Sequence, residues 1–260
     1  MRRVAIKIAY LGKDFCGSQY QPGLRTVVGD IITDLQTISP EKSAEWFDIK
    51  PSSRTDAGVN ALENVVAVNT EFSDNMTLLK ALNSVSKSIF YRAAANVDTN
   101  FNPRFADARV YRYIVPSDGI DIEKVKECAR LFLGEHDFAR FCKVYEDKTT
   151  VTDIKRIDVI EKPGCIELTF ESQFFLWNMI RKISAALISV GGGNRDIDDV
   201  KAALDGADIS FGTARPDALT LMQVRYRDIE FEYPETDAYG GRVKEEKFQN
   251  ALRENFLSSL

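Results

Sequence analysis

The chain runs through the order β-α-β-β-α-β twice, and few architectures accept that order in tandem. Residues 3–10 alternate Val4, Ile6, Ile8 and Tyr10 with Ala5, Lys7 and Ala9, the period of a strand. Residues 26–38 set Val28, Ile31, Ile32 and Leu35 on one helical face. Residues 46–50 and 64–70 read as strands, 76–85 as a helix and 88–96 as a strand. The second half repeats this with a strand at 108–115, a helix at 122–133 and strands near 153–160 and 164–170. A long helix over 174–190 then stops at Gly191, Gly192 and Gly193, and a last strand covers 220–232. The expected class is α+β: two ferredoxin-like halves, residues 1–104 and 105–260, sharing a mixed, mainly antiparallel sheet. Helices would cover one face, leaving a central cleft on the other. Pro103 marks the junction, no Gly/Ser linker separates the halves, and 243–258 reads as an amphipathic surface helix.

Several function classes drop out. The single histidine, His136, cannot build a His-rich metal site, and Cys16, Cys128, Cys142 and Cys165 form no CxxC pair. No metal or cofactor is therefore expected; the Gly191–Gly193 run also lacks the context of a phosphate loop. The cysteines read as reduced, which points to the cytoplasm. No apolar run approaches the roughly 18 residues of a membrane span, and Lys7 interrupts the opening where a signal peptide would be apolar. The balance of 34 Lys+Arg against 39 Asp+Glu, net −5, argues against a surface coated for polyanions. Residues 230–260 hold seven acids and four bases, or −3 of that total, so the rest of the chain can still carry a local basic cleft.

Four stretches could carry chemistry. Pro51 to Ala61 is a long inter-strand segment placing Arg54-Thr55-Asp56 beside small residues. It is either a tight turn with a surface arginine or a loop aiming Asp56 into a cleft. Phe101 to Tyr113 carries Arg104, Arg109 and Arg112 against Asp107, a local +2. Strand alternation sets Tyr111 and Tyr113 on one face and Arg112 on the other. That is either a core strand with a basic outer face or a platform on which an unpaired base stacks. In Phe174 to Lys182, apolar residues surround Arg181, which must pair with a carboxylate, Asp56 being a candidate, or reach solvent along its stem. His136, between acids in Gly134 to Phe138, reads as part of a helix-ending turn rather than as a general base.

Together, in this order, these segments resemble the TruA family of tRNA pseudouridine synthases. Tyr10 to Gln19 is similar to its YDGxxFxGxQ segment, Ser53 to Ala61 to GRTDAGVHA, and Phe101 to Phe105 with Tyr111 to Tyr113 to FxxRF…YRY. Leu133 to Phe138 is similar to LxGxHDF, Phe175 to Lys182 to FxxxMVRK/N, and Pro216 to Tyr226 to PxxGLxLxxVxY. The resemblance implies that Asp56 is the catalytic aspartate, that Tyr111 stacks on the extruded uracil or also serves in proton transfer, and that Arg181 holds the Asp56 carboxylate. Arg54 would probe the RNA and assist flipping, and Arg104 would support the site or the tRNA backbone. With Arg109, Arg112 and Lys182 these would build a basic RNA-binding cleft. The implied substrate is tRNA, at positions 38 to 40 of the anticodon stem-loop, gripped by a cofactor-free homodimer. Ser53 replaces the motif's leading Gly, Asn60 its His, Leu11 an acid, Ser18 an apolar residue, and Asp217-Ala218 departs at a Gly position.

The reaction breaks an N-glycosidic bond and rejoins uracil C5 to ribose C1′, with no redox change. One preorganised carboxylate and an aromatic lid suffice if water stays out, whereas a glycosidase uses a second carboxylate to activate water. A glycosidase would thus need another acid near Asp56, and a non-catalytic RNA-binding protein would leave the Asp56 segment idle.

Overall fold

The computed structural model describes residues 1–145, 148–234 and 239–258. The first half contains β1 (Arg2–Tyr10), α1 (Val27–Ile38), β2 (Lys50–Pro51), β3 (Asn60–Thr70), α2 (Asn75–Val85) and β4 (Phe90–Val97). The second contains β5 (Ala108–Pro116), α3 (Ile122–Arg130), β6 (Gly134–Asp137), β7 (Val151–Ile154), β8 (Arg156–Lys162) and β9 (Cys165–Ser172). It continues through α4 (Met179–Gly191), α5 (Ile197–Leu204), β10 (Leu219–Arg225) and α6 (Gly240–Leu257).

Eight strands form one sheet in the order β4-β1-β3-β10-β5-β9-β8, with β2 also on β3, while β6 and β7 pair separately. Setting that hairpin aside, each half runs fourth, first, third, second along the sheet. The class is α+β and the pairing antiparallel except where β10 joins β3, through Thr220↔Asn60 and Leu221↔Ala61. That parallel seam sews the halves together just after the Asp56 loop.

Helix α1 is capped by Thr26, whose hydroxyl accepts the Gly29 N–H, and it buries Val27, Ile31 and Leu35 at the spacing of one face. Buried Asp34 lies on the same side and accepts the Tyr91 hydroxyl at 2.8 Å. In the second half, Val115, Ile166 and Leu168 of the sheet meet Val125 of α3 and Leu187 and Ile188 of α4. Tyr111 and Tyr113 share the face of Val115, because β5 pairs with β9 without a register shift from Arg109 to Pro116. The two tyrosines therefore stand on the helix-bearing face.

Other expectations shift locally. Residues 46–50 form a 3-10 turn, Glu45–Phe47, before a two-residue β2. The strand expected at 153–160 is divided between β7 and β8, which belong to different sheets. The segment around His136 is strand β6, and the His136 Nε2 lies 2.9 Å from the Leu133 carbonyl. The last strand ends at Arg225 rather than 232. Among the described residues, no helix is long and apolar enough to cross a membrane.

Candidate active site

The loop between β2 and β3 is held from behind. Ser52, Ser53 and Thr55 are buried, whereas Arg54 is exposed and Asp56 half-buried. Ser18 Oγ accepts the Thr55 N–H at 2.7 Å, and the Ser18 N–H donates to the Thr55 carbonyl at 3.0 Å. The Tyr10 hydroxyl meets Thr55 Oγ1 at 2.8 Å, and Asn64 Nδ2 donates to the Ser53 carbonyl at 3.2 Å. With the inward residues locked, Arg54 and Asp56 are turned outward by extended-chain alternation.

Two glycines make the next turn possible. A Cβ on Gly12 would stand 2.3 Å from the Gly58 carbonyl carbon, so the 3-10 turn Gly12–Asp14 can touch the loop only as glycine. Gly58 itself has φ +83°, and a Cβ there would meet Pro216 at 3.0 Å. Asn60 completes the clamp: its Oδ1 accepts the Gly12 N–H at 2.8 Å and its Nδ2 donates to the Asp217 carbonyl at 2.9 Å. Ser18 and Asn60, both departures from the family motif, thus have defined structural tasks here.

Asp56 meets the second half of the chain through two donors. Arg181 Nη1 lies 3.0 Å from Asp56 Oδ2, and Trp177 Nε1 donates to Asp56 Oδ1 at 2.8 Å. The same guanidinium is fixed by Nε on the Ala214 carbonyl at 2.8 Å and by Nη1 on Asn178 Oδ1 at 3.1 Å. A planar fork with three anchors sets the carboxylate orientation more firmly than a lysine point charge could. Sequence reasoning missed Trp177, which stands four residues before Arg181, the spacing of helical neighbours. Its backbone is not helical, however: α4 starts at Met179, and Asn178 sits at φ +62°.

Tyr111 is 7% exposed and packs edge-on against Phe175, centroids 5.4 Å apart. Burial pushes its phenol up to about 12, with the Arg109 charge pulling the other way. Tyr113 is fixed by its hydroxyl on the Arg215 carbonyl at 3.1 Å.

The six basic candidates divide. Arg181 faces Asp56. Arg54 and Arg104 are exposed and, among the described residues, no acid pairs with either. The other three are engaged by the protein itself. Arg109 is buried: Nε donates to Ser53 Oγ at 2.9 Å, Nη2 to the Ser52 and Arg104 carbonyls at 2.9 Å, and Nη1 to the Gln173 carbonyl. Its donors are committed to the protein, so it is a structural bolt rather than an RNA contact. Lys182 Nζ donates to the Cys142 carbonyl at 2.9 Å, tying α4 to the 3-10 turn before it. Arg112, on the opposite sheet face from Tyr111, has its Nη1 3.9 Å from Glu167. Among the described residues, no three His, Cys, Asp or Glu side chains are grouped to hold a metal ion.

The family model of tRNA pseudouridine synthase matches residues 128–227. The chain is 39% identical over 262 residues to tRNA pseudouridine synthase A of Pyrococcus abyssi, covering 98% of this chain and 97% of that one. It is 36% identical over 262 residues to tRNA pseudouridine synthase A of Methanosarcina acetivorans, covering 99% and 97%. Among solved structures, a Cbf5-Nop10-Gar1 complex aligns at 14% identity and TM-score 0.34 over 71% of this chain and 45% of that one.

Proposed function

The chain belongs to the tRNA pseudouridine synthase A family, and from that premise we propose that it isomerises uridine to pseudouridine in tRNA with Asp56 as the catalytic carboxylate. The observation that carries the reading is the Asp56 carboxylate held on one oxygen by Arg181 and on the other by Trp177, with Tyr111 of β5 close enough to feel its charge. Charge develops at the ribose and the uracil when the N1–C1′ bond breaks. A carboxylate that is already oriented stabilises it without reorganising at that moment. The C5–C1′ bond then forms, the C5 proton leaves to solvent, and N1 takes up a proton, so atoms and electrons balance with no external reagent.

Tyr111 stacks on the extracted base, whose flipping costs a few kcal/mol that a stacked ring returns at about 1–3 kcal/mol. Arg54 and Arg104 meet the RNA. The resemblance of the chain's motifs to the family implies uridines 38 to 40 of the anticodon stem-loop as the targets and a homodimer that grips tRNA across both subunits, and its unpaired cysteines fit action in the cytoplasm.

Release of tritium from tRNA carrying [5-³H]uridine tests the reaction directly. Wild type should release it, and Asp56→Asn should abolish release while binding tRNA within a few-fold of wild type. An Asp56→Asn protein retaining half the rate would end the assignment.

A further inference from the structure

Phe105 is 81% exposed, more than any other large apolar side chain among the described residues. It is not exposed through looseness. The Phe105 N–H closes a turn onto the Asn102 carbonyl at 3.2 Å, and Asn102 Oδ1 accepts the Arg104 N–H at 3.1 Å. The Tyr226 hydroxyl donates to the Pro103 carbonyl, and its ring packs edge-on against Phe101 at 5.5 Å. Arg109 then holds the Arg104 carbonyl with the guanidinium that also grips Ser52 and Ser53. One buried cation thus fastens the turn carrying Phe105 to the loop carrying Asp56. A flexible apolar ring would fold back onto the surface; this one is held out at a fixed place beside the site.

Its neighbours identify what it meets. Arg104 precedes it in its own turn and Arg54 follows Ser53 in the loop fastened to that turn, both exposed and neither paired with an acid among the described residues. An apolar protein partner would be met by apolar neighbours. A rigid ring among free cations has the composition of a surface for nucleic acid, where arginines take phosphates and the ring takes a base.

Resting on the pseudouridylation reading, we infer that Phe105 forms a second base-binding subsite. Its ring covers the face of the nucleobase left without a neighbour when the target uridine leaves the stack. Tyr111 takes the extracted base, and Phe105 takes the vacated space in the RNA.

The test is the affinity of the full chain for an unmodified tRNA transcript, compared among wild type, Phe105→Ala, Phe105→Tyr and Phe105→Leu. An exposed side chain leaves the fold intact when replaced, which thermal melting of each variant checks. Phe105→Ala should weaken binding about tenfold, Phe105→Tyr should recover most of it, and Phe105→Leu should not. Irradiation of a transcript with 5-bromouridine in place of uridine should crosslink at position 105 in wild type and not in Phe105→Ala. Binding by Phe105→Ala within twofold of wild type, or recovery by leucine equal to tyrosine, would overturn the proposal. If wild type releases no tritium yet binding depends on Phe105, the reaction reading fails and the subsite stands. Tritium release with binding indifferent to Phe105 gives the converse.

Discussion

Tyr111 can act on a uracil through its ring or through its hydroxyl, and its surroundings separate the two. Burial raises the phenol from an ordinary value of 10.0 to about 12, so near neutral pH it stays protonated and cannot serve as a ready base. On the proposed reading, the ring then does the work by stacking. Tyr111→Phe should keep most of the rate, and Tyr111→Ala should lose at least tenfold, read as single-turnover tritium release. Equal large losses would return the hydroxyl to the mechanism. The raised phenol also gives stability a pH dependence of definite sign. The native state holds the proton more tightly than the unfolded chain, so the contribution is full below about pH 10 and is lost as pH rises to about 12. A rise from 10.0 to about 12 corresponds to about 3 kcal/mol at most. The fall in stability between those pH values, read from denaturant midpoints, should be shallower in Tyr111→Phe than in wild type.

Elements place these residues, and at this scale the glycines of the loop decide more than Asp56 itself. Gly12→Ala puts a methyl 2.3 Å from the Gly58 backbone, where no flexible side chain can yield. The two loops must part, Asn60 loses the Gly12 N–H, and Asp56 moves away from Arg181. Expected are a rate loss of about a hundredfold and destabilisation of about 1–3 kcal/mol, measured as turnover and as a denaturant midpoint. Gly241→Ala in α6, where a Cβ meets nothing within 4 Å, should cost neither. The order of strands and helices was legible because period two and period 3.6 leave clear traces in β1, β5, α1 and α4. The pairing of Arg181 with Asp56 was open to the same reasoning, since a cation among apolar residues needs a partner. Trp177 was not, because its approach to Asp56 depends on the left-handed backbone of Asn178, which has no periodic signature. Nor could a count of arginines reveal that Arg109 faces carbonyls: Gln173, Ser52 and Arg104 come together only in the folded chain.

For the whole molecule, the question is how a chain of net charge −5 holds a polyanion. Six basic residues were expected around the site, but Arg109, Lys182 and Arg112 are tied to carbonyls or an acid, and Arg181 faces Asp56. Of these candidates, Arg54 and Arg104 remain for phosphates, and each would add its own counterion release on binding. The proposed stacking on Phe105 and Tyr111 is a contribution that salt hardly screens. In a plot of log affinity for tRNA against log salt, Arg54→Ala and Arg104→Ala should each reduce the slope by roughly one, and the double variant by roughly two. Lys182→Ala should leave the slope unchanged, because its ammonium is directed at the Cys142 carbonyl and not outward. Phe105→Ala should shift the whole line down without tilting it. A slope that falls as much for Lys182→Ala as for Arg104→Ala would mean that the RNA approaches over the 3-10 turn at Ala139–Phe141, rather than between the Asp56 loop and the Phe105 turn.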